Sequence, residues 1–284
     1  MRPERNVLVV MSLAGVLLLF RSGVATGAPR AQSQTPKTCS CSVEPSILAV
    51  QVASFHAQNV NMAEALSQLR SQNVKQIVIG FERIPHAEGE RGGPISLAVT
   101  DTTLGAVVRL LCQADPRYEY QVVESPVIQP SLKGSVIEIR PKGALEDQND
   151  LLNTRVRDYK VDAEITANSA IEHIQEDAPE LREVLYRKTQ EWLKEKGRQA
   201  GGVPGSMMSG NMLPPRFTLE LHDVTIRQIL DAISMKSIQL FKEGPDFDSS
   251  GRGIKWSPVG WQYDFIVDPN APTGFGGYPR WLPL

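Results

Sequence analysis

The chain has 284 residues, of which 41% are hydrophobic and 22% charged, close to the averages of globular domains and sufficient for a packed core. Its formal net charge is −2, so it lacks the positive field that gathers nucleic-acid phosphates, and nucleic acid is not the expected partner. Length alone allows one large or two small domains.

The N-terminus reads as an export signal. Arg2 and Arg5 form a basic start, and residues 7–20 are an apolar run interrupted only by Ser12 and Gly15. As a helix this run is about 21 Å long, short of the roughly 30 Å needed to cross a bilayer. Gly23, Ala25, Gly27 and Ala28 then supply the small residues that a signal peptidase requires. Residues 1–27 are therefore expected to be a signal peptide, leaving no integral membrane segment after cleavage. Periplasmic or secreted localisation follows. Residues 28–46, rich in Pro, Gln, Ser and Thr, read as a flexible leader.

Residues 50–55 fit a strand, and Met62, Ala65, Leu66 and Leu69 form the i, i+3, i+4, i+7 stripe of an amphipathic helix. Asn61 with Glu64 forms a capping arrangement at its start. Residues 76–81 and 95–99 predict strands, and Leu104, Val107, Val108 and Leu111 a second helix. Strands at 118–123 and 136–140 follow, so residues 47–142 form a β-α-β-β-α-β-β unit. Residues 143–154 are polar and acidic and read as a linker.

The second part, residues 155–268, repeats this plan. A shift of 122 residues sets 95–111 on 217–233 without a gap, bringing Leu97 onto Leu219, Asp101 onto Asp223 and Thr103 onto Thr225. The apolar skeleton Leu104, Val107, Val108 and Leu111 meets Ile226, Ile229, Leu230 and Ile233. At a shift of 105, Ala65, Leu66 and Leu69 meet Ala170, Ile171 and Ile174. Pro179 is expected to split the charged helical span 168–196. Residues 201–215, with Gly, Pro and three methionines, read as a flexible insertion. Residues 269–284 hold several prolines and glycines and are expected to be an irregular C-terminal tail, either folded back or offered to a partner. The expected fold class is α+β: two related β-α-β-β-α-β type units, each a small sheet with helices on one face.

Three passages carry a family resemblance: residues 59–69 (NVNMAEALSQL), 95–104 (ISLAVTDTTL) and 136–141 (VIEIRP), with a divergent echo at 217–230. They resemble the short N-terminal domain of secretins and TonB-dependent receptors. In that family a strand feeds an amphipathic helix, another strand follows, and a second helix precedes a closing pair of strands. The resemblance implies a periplasmic unit that docks onto partner proteins in envelope assembly or signalling. No series of long alternating strands follows, so a pore or barrel is not implied, and no site residue carries over because the matched positions are core positions.

The search for chemistry gives no catalytic, cofactor-binding or metal residue. His56, His86, His173 and His222 are scattered without metal-ligand spacing, and His222 precedes Asp223 at a strand-to-helix turn, where bonding to the cap is expected. Asp101 and Asp223 are expected to cap helices. There is no Walker loop, GxGxxG or GxSxG after a strand. Cys39 and Cys41 are too close for an unstrained bridge to each other, so Cys112 either pairs with one of them or is a small core residue. The expected function is non-enzymatic recognition of a protein partner in the cell envelope. The alternative is a small-ligand or enzymatic site in a cleft between the two units.

Overall fold

The computed structural model describes residues 47–73, 77–87, 93–124, 132, 134–161, 166–195, 217–243, 258–267 and 277–284. The signal segment 1–27, the leader 28–46 with Cys39 and Cys41, and the insertion 201–215 lie outside the described residues.

Strand β1 (Gln51–Val60) runs into helix α1 (Met62–Asn73), then β2 (Val78–Glu82) and the short β3 (His86–Ala87). Strand β4 (Ile95–Thr103) leads into α2 (Leu104–Ala114), and β5 (Tyr118–Glu124) and β6 (Ser135–Pro141) close the first half. A 3₁₀ turn at Leu151–Asn153 precedes β7 (Arg155–Val161), α3 (Ala167–Glu172), α4 (Ile174–Asp177) and α5 (Pro179–Glu195). Strand β8 (Leu219–Thr225), α6 (Ile226–Glu243), β9 (Trp261–Val267) and β10 (Gly277–Pro283) complete the chain. The class is α+β.

Two antiparallel ribbons, β1–β4 and β7–β8, flank a six-stranded sheet in the order β10-β9-β2-β6-β5, with β3 beside β9. Strand β2 runs parallel to both β6 and β9. Period-2 alternation divides the central strands between two cores. Ile79, Phe81, Ile137 and Ile139 join the core of the first half, whereas Val78 and Val136 join that of the second.

The halves correspond closely in local structure. Gln51, Phe55 and Ala57 face Thr103, Val99 and Leu97 in the first ribbon; Arg155, Tyr159 and Val161 face Thr225, Leu221 and Leu219 in the second. Val52, Phe55 and Ala57 are buried, as are their counterparts Val156, Tyr159 and Val161. Asp101 and Asp223 both adopt left-handed backbone, with φ of 47° and 52°. Both ladders omit a pair there: Ala53 opposite Asp101, and Arg157 opposite Asp223. Thr103 Oγ1 accepts from Ala106 N, and Thr225 Oγ1 from Gln228 N. Asn61 Oδ1 accepts from Glu64 N, and at the corresponding helix start Thr166 Oγ1 accepts from Ser169 N.

Several expectations are corrected. The caps are Thr103 and Thr225, because the aspartates sit two residues earlier in the bend that turns strand into helix. The two halves do not have separate sheets: β9 and β10 of the second add to β2 of the first in one six-stranded sheet. The 143–154 stretch is anchored at its end rather than a free linker, with Leu151 and Leu152 at 2% and 0% exposure. Asn153 Nδ2 there donates to the carbonyls of Ala144, Leu145 and Asp147 and closes the loop. The tail is not wholly irregular, since residues 277–283 return as β10 on β9. Its prolines, Pro279 and Pro283, are tolerated because β10 is an edge strand. The charged span 168–196 breaks twice, at His173 and before Pro179, which begins α5.

Candidate functional site

Where β2 and β6 meet α6 and β9, the alternation that buries Val78 and Val136 also turns Glu82, Glu138 and Arg140 inward. Across from them, Arg227, Asp231 and Ser234 recur at i, i+4 and i+7 on α6, so they share one face of the helix. Exposures are 6% for Glu82, 1% for Glu138, 4% for Arg227 and 1% for Asp231. Helix α6 is buried on most of its circumference, which is why a polar stripe beside the apolar one is sealed from water.

Arg227 Nη2 donates to Glu82 Oε2 at 2.6 Å and to Asp150 Oδ2 at 2.9 Å, tying α6 to β2 and to the turn before β7. One helical turn on, the Trp261 indole Nε1 donates to Asp231 Oδ1 at 2.8 Å. Glu138 accepts from Arg140 at 2.8 Å and from Gln121 at 2.7 Å. Arg140 also reaches Glu119 at 3.1 Å, near the outer strand. A satellite pair lies on the last hairpin, where Arg280 donates to the fully buried Asp264 at 3.0 Å.

Carboxylates outnumber guanidinium groups in this cluster, and burial disfavours their charged form. Burial pushes Glu82 up to about 7 against the pull of Arg227, and it raises Asp150 as well. Asp231 is raised well above the ordinary carboxyl range, first by burial and then by the charge of Glu138 and a hydrogen bond to it. Burial works against the charge of Arg227, but the carboxylates of Glu82, Glu138 and Asp150 outweigh it and raise its pKa. Chemically the cluster can hold protons and fix α6 to the sheet. It joins groups from both halves.

Sequence reasoning assigned none of these residues to a site, although signals existed. A glutamate inside the apolar run Val136–Ile137–Glu138–Ile139 marks a buried polar position once β6 is central in the sheet. The Arg227–Asp231–Ser234 spacing was the second signal.

The residues considered and set aside lie elsewhere. His222 lies within β8 and is exposed, its Nδ1 2.7 Å from Asp158 Oδ1 across the ladder, and it does not bond to the cap. His173 pairs with Glu176 at 2.8 Å, and His86 Nδ1 lies 3.2 Å from the carbonyl of Ile84. Asp223 binds Arg155, whose Nε donates at 3.1 Å. Cys112 is half-buried and forms no disulfide among the described residues, and burial pushes its thiol pKa up to about 11. Among the described residues no group of three or more His, Cys, Asp or Glu is arranged to hold a metal ion, and no helix is long and apolar enough to cross a membrane.

Comparison with protein-family models, with curated proteins and with solved structures finds no match to this chain.

Proposed function

We propose that this chain is an exported protein whose body docks onto protein partners in the cell envelope, without chemistry of its own, as an accessory of an assembly or signalling complex. The observation that carries this reading is the order and pairing of elements in the first half. Strand β1 feeds α1, β2 follows, β4 returns to pair with β1, and α2 precedes the closing pair β5–β6. This order resembles that of the short N-terminal domain of secretins and TonB-dependent receptors, which the motifs at 59–69, 95–104 and 136–141 also resemble. The local correspondences between the ribbons support a duplicated unit. The basic start and apolar run at 7–20 support export.

A ligand or reaction site between the halves would have to use their seam. There Glu82, Glu138, Arg227 and Asp231 are 1–6% exposed, which favours packing over admission of a solute, while Arg227 Nε and Nη1 have no hydrogen-bond partner among the described residues. Two measurements test the docking reading. N-terminal sequencing of protein from its native host is expected to begin near residues 26–32. Photo-crosslinking in intact cells is expected to trap a defined envelope protein. An intact Met1 on soluble cytoplasmic protein, or turnover of a small substrate with no crosslinked partner, would overturn it.

A further inference from the structure

The hairpins that close the two halves are built alike. Strands β5 and β6 pair antiparallel from Tyr118↔Pro141 to Glu124↔Ser135, and β9 and β10 pair from Trp261↔Pro283 to Val267↔Gly277. Each begins after the helix that follows a ribbon, and each ends its ladder on a proline at the same corner. Strand β9 is therefore the counterpart of β5.

The counterparts differ on their outer sides. On β9 that edge carries β2 and β3 as parallel strands, with Gly80, Phe81 and Glu82 opposite Trp261, Gln262 and Tyr263, and His86 and Ala87 opposite Ile266 and Val267. Between these pieces Arg83 N donates to Tyr263 O at 2.8 Å. Strand β5 pairs only with β6 among the described residues. Burial follows the difference: Trp261, Tyr263, Phe265 and Ile266 are 0–8% exposed, whereas Tyr120, Val122 and Val123 on β5 are only half-buried. Tyr120 and Val122 pack on one core and Val123 on the other, so an added strand would cover apolar groups on both faces.

We infer that the outer edge of β5, from Tyr118 to Glu124, is a docking edge for an extended segment of another protein, taken as a parallel strand in the register that β2 and β3 adopt on β9. Strand addition supplies main-chain hydrogen bonds along the edge, and alternate side chains supply selectivity. The segment that fits carries apolar residues opposite Tyr120, Val122 and Val123. The β2 of a second copy does not provide it, because that strand lies between β6 and β9. This inference rests on the docking reading above and names the edge it uses.

The test uses the mature chain, isotopically labelled, and a synthetic peptide of residues 77–87 (IVIGFERIPHA), the segment that β9 already accepts. Saturable binding is expected, with slowed amide exchange confined to residues 117–124. A spin label at the peptide N-terminus is expected to broaden signals near Tyr118, and one at its C-terminus signals near Glu124. Val122→Lys, on a half-buried side chain, is expected to weaken binding at least about tenfold with little change in melting temperature. Absence of binding, mapping to another edge, or the reversed label pattern of an antiparallel strand each overturns the inference. If the peptide fails to bind while the envelope crosslink persists in Val122→Lys, the docking reading stands and this edge does not serve it.

Discussion

Gly80 on β2 lies flat against the indole of Trp261 on β9, and a Cβ at Gly80 would come 2.5 Å from Cε2 and 2.6 Å from Cζ2 of that ring. The two residues are direct partners across the strand pair that joins the halves of the molecule. The ring cannot swing aside, because Trp261 is 0% exposed and its Nε1 is held by Asp231. Gly80→Ala is therefore expected to destabilise by about 1–3 kcal/mol, the usual range for overpacking a filled core. This outweighs the smaller gain from restricting the unfolded chain. Urea unfolding measures it, and Gly80→Ala combined with Trp261→Leu should recover part of the loss if the ring is the obstacle. A Gly80→Ala variant as stable as the parent would contradict the contact.

The acid cluster gives stability a definite pH dependence. Glu82 ordinarily ionises near 4.5, and in the folded chain its pKa is about 7. Between those values the folded state binds more protons than the unfolded state, so this group's contribution falls as pH rises and levels off above about 7. The interval corresponds to a change on the order of 3 kcal/mol. Asp150 and Asp231 are shifted in the same direction. Glu82→Gln removes one titration, so its stability should fall less steeply between pH 4.5 and 7 than that of the parent. Urea midpoints taken across this range test the point, and identical slopes would exclude Glu82 as a contributor.

The strand-to-helix bends offer a matched pair of measurements. Thr103→Ala and Thr225→Ala each remove a side-chain acceptor at a helix start and should each cost about 1 kcal/mol. Asp101 and Asp223 hold left-handed backbone, which glycine adopts without strain and valine resists. Asp101→Gly should be neutral or slightly stabilising, and Asp101→Val clearly destabilising. Asp223→Gly should benefit less, because it also loses the bond from Arg155. Thermal unfolding of the set checks the ranking.

Much of this fold was legible because side-chain periodicity reports which face of an element is covered. Leu104, Val108, Leu111, Ile226, Leu230 and Ile233 were placed on inward stripes by spacing alone, and all six are 0–1% exposed. Strand β9 joining β2 was not legible, since backbone pairing between distant strands leaves no periodic mark. Pro279 and Pro283 read as breakers because sequence does not reveal that their strand lies at a sheet edge. Glu82 and Arg227 escaped notice for a different reason. A charge at the end of a strand or beside an apolar helical stripe normally faces water, and only the burial of both elements makes it interior.

The last prediction separates packing from chemistry. Leu111 on α2 is 0% exposed and Leu230 on α6 is 1% exposed, and they belong to different cores. Truncation of either to alanine removes the transfer free energy of the lost carbons and leaves a cavity, together worth about 2–5 kcal/mol. Against a typical total of about 5–15 kcal/mol, either loss lowers the melting temperature visibly. The two costs should also be nearly additive, because the side chains share no core. His222 is the contrast: its side chain is 65% exposed, and its partners Asp158 and Glu220 are 69% and 64% exposed. Exposed ion pairs contribute about 0–1 kcal/mol, so His222→Asn should shift the midpoint little. Thermal melts of the three single variants and the Leu111→Ala/Leu230→Ala double variant decide the matter. If the leucine variants melted like the parent while His222→Asn collapsed, both the helix faces and the minor part given to His222 would be wrong.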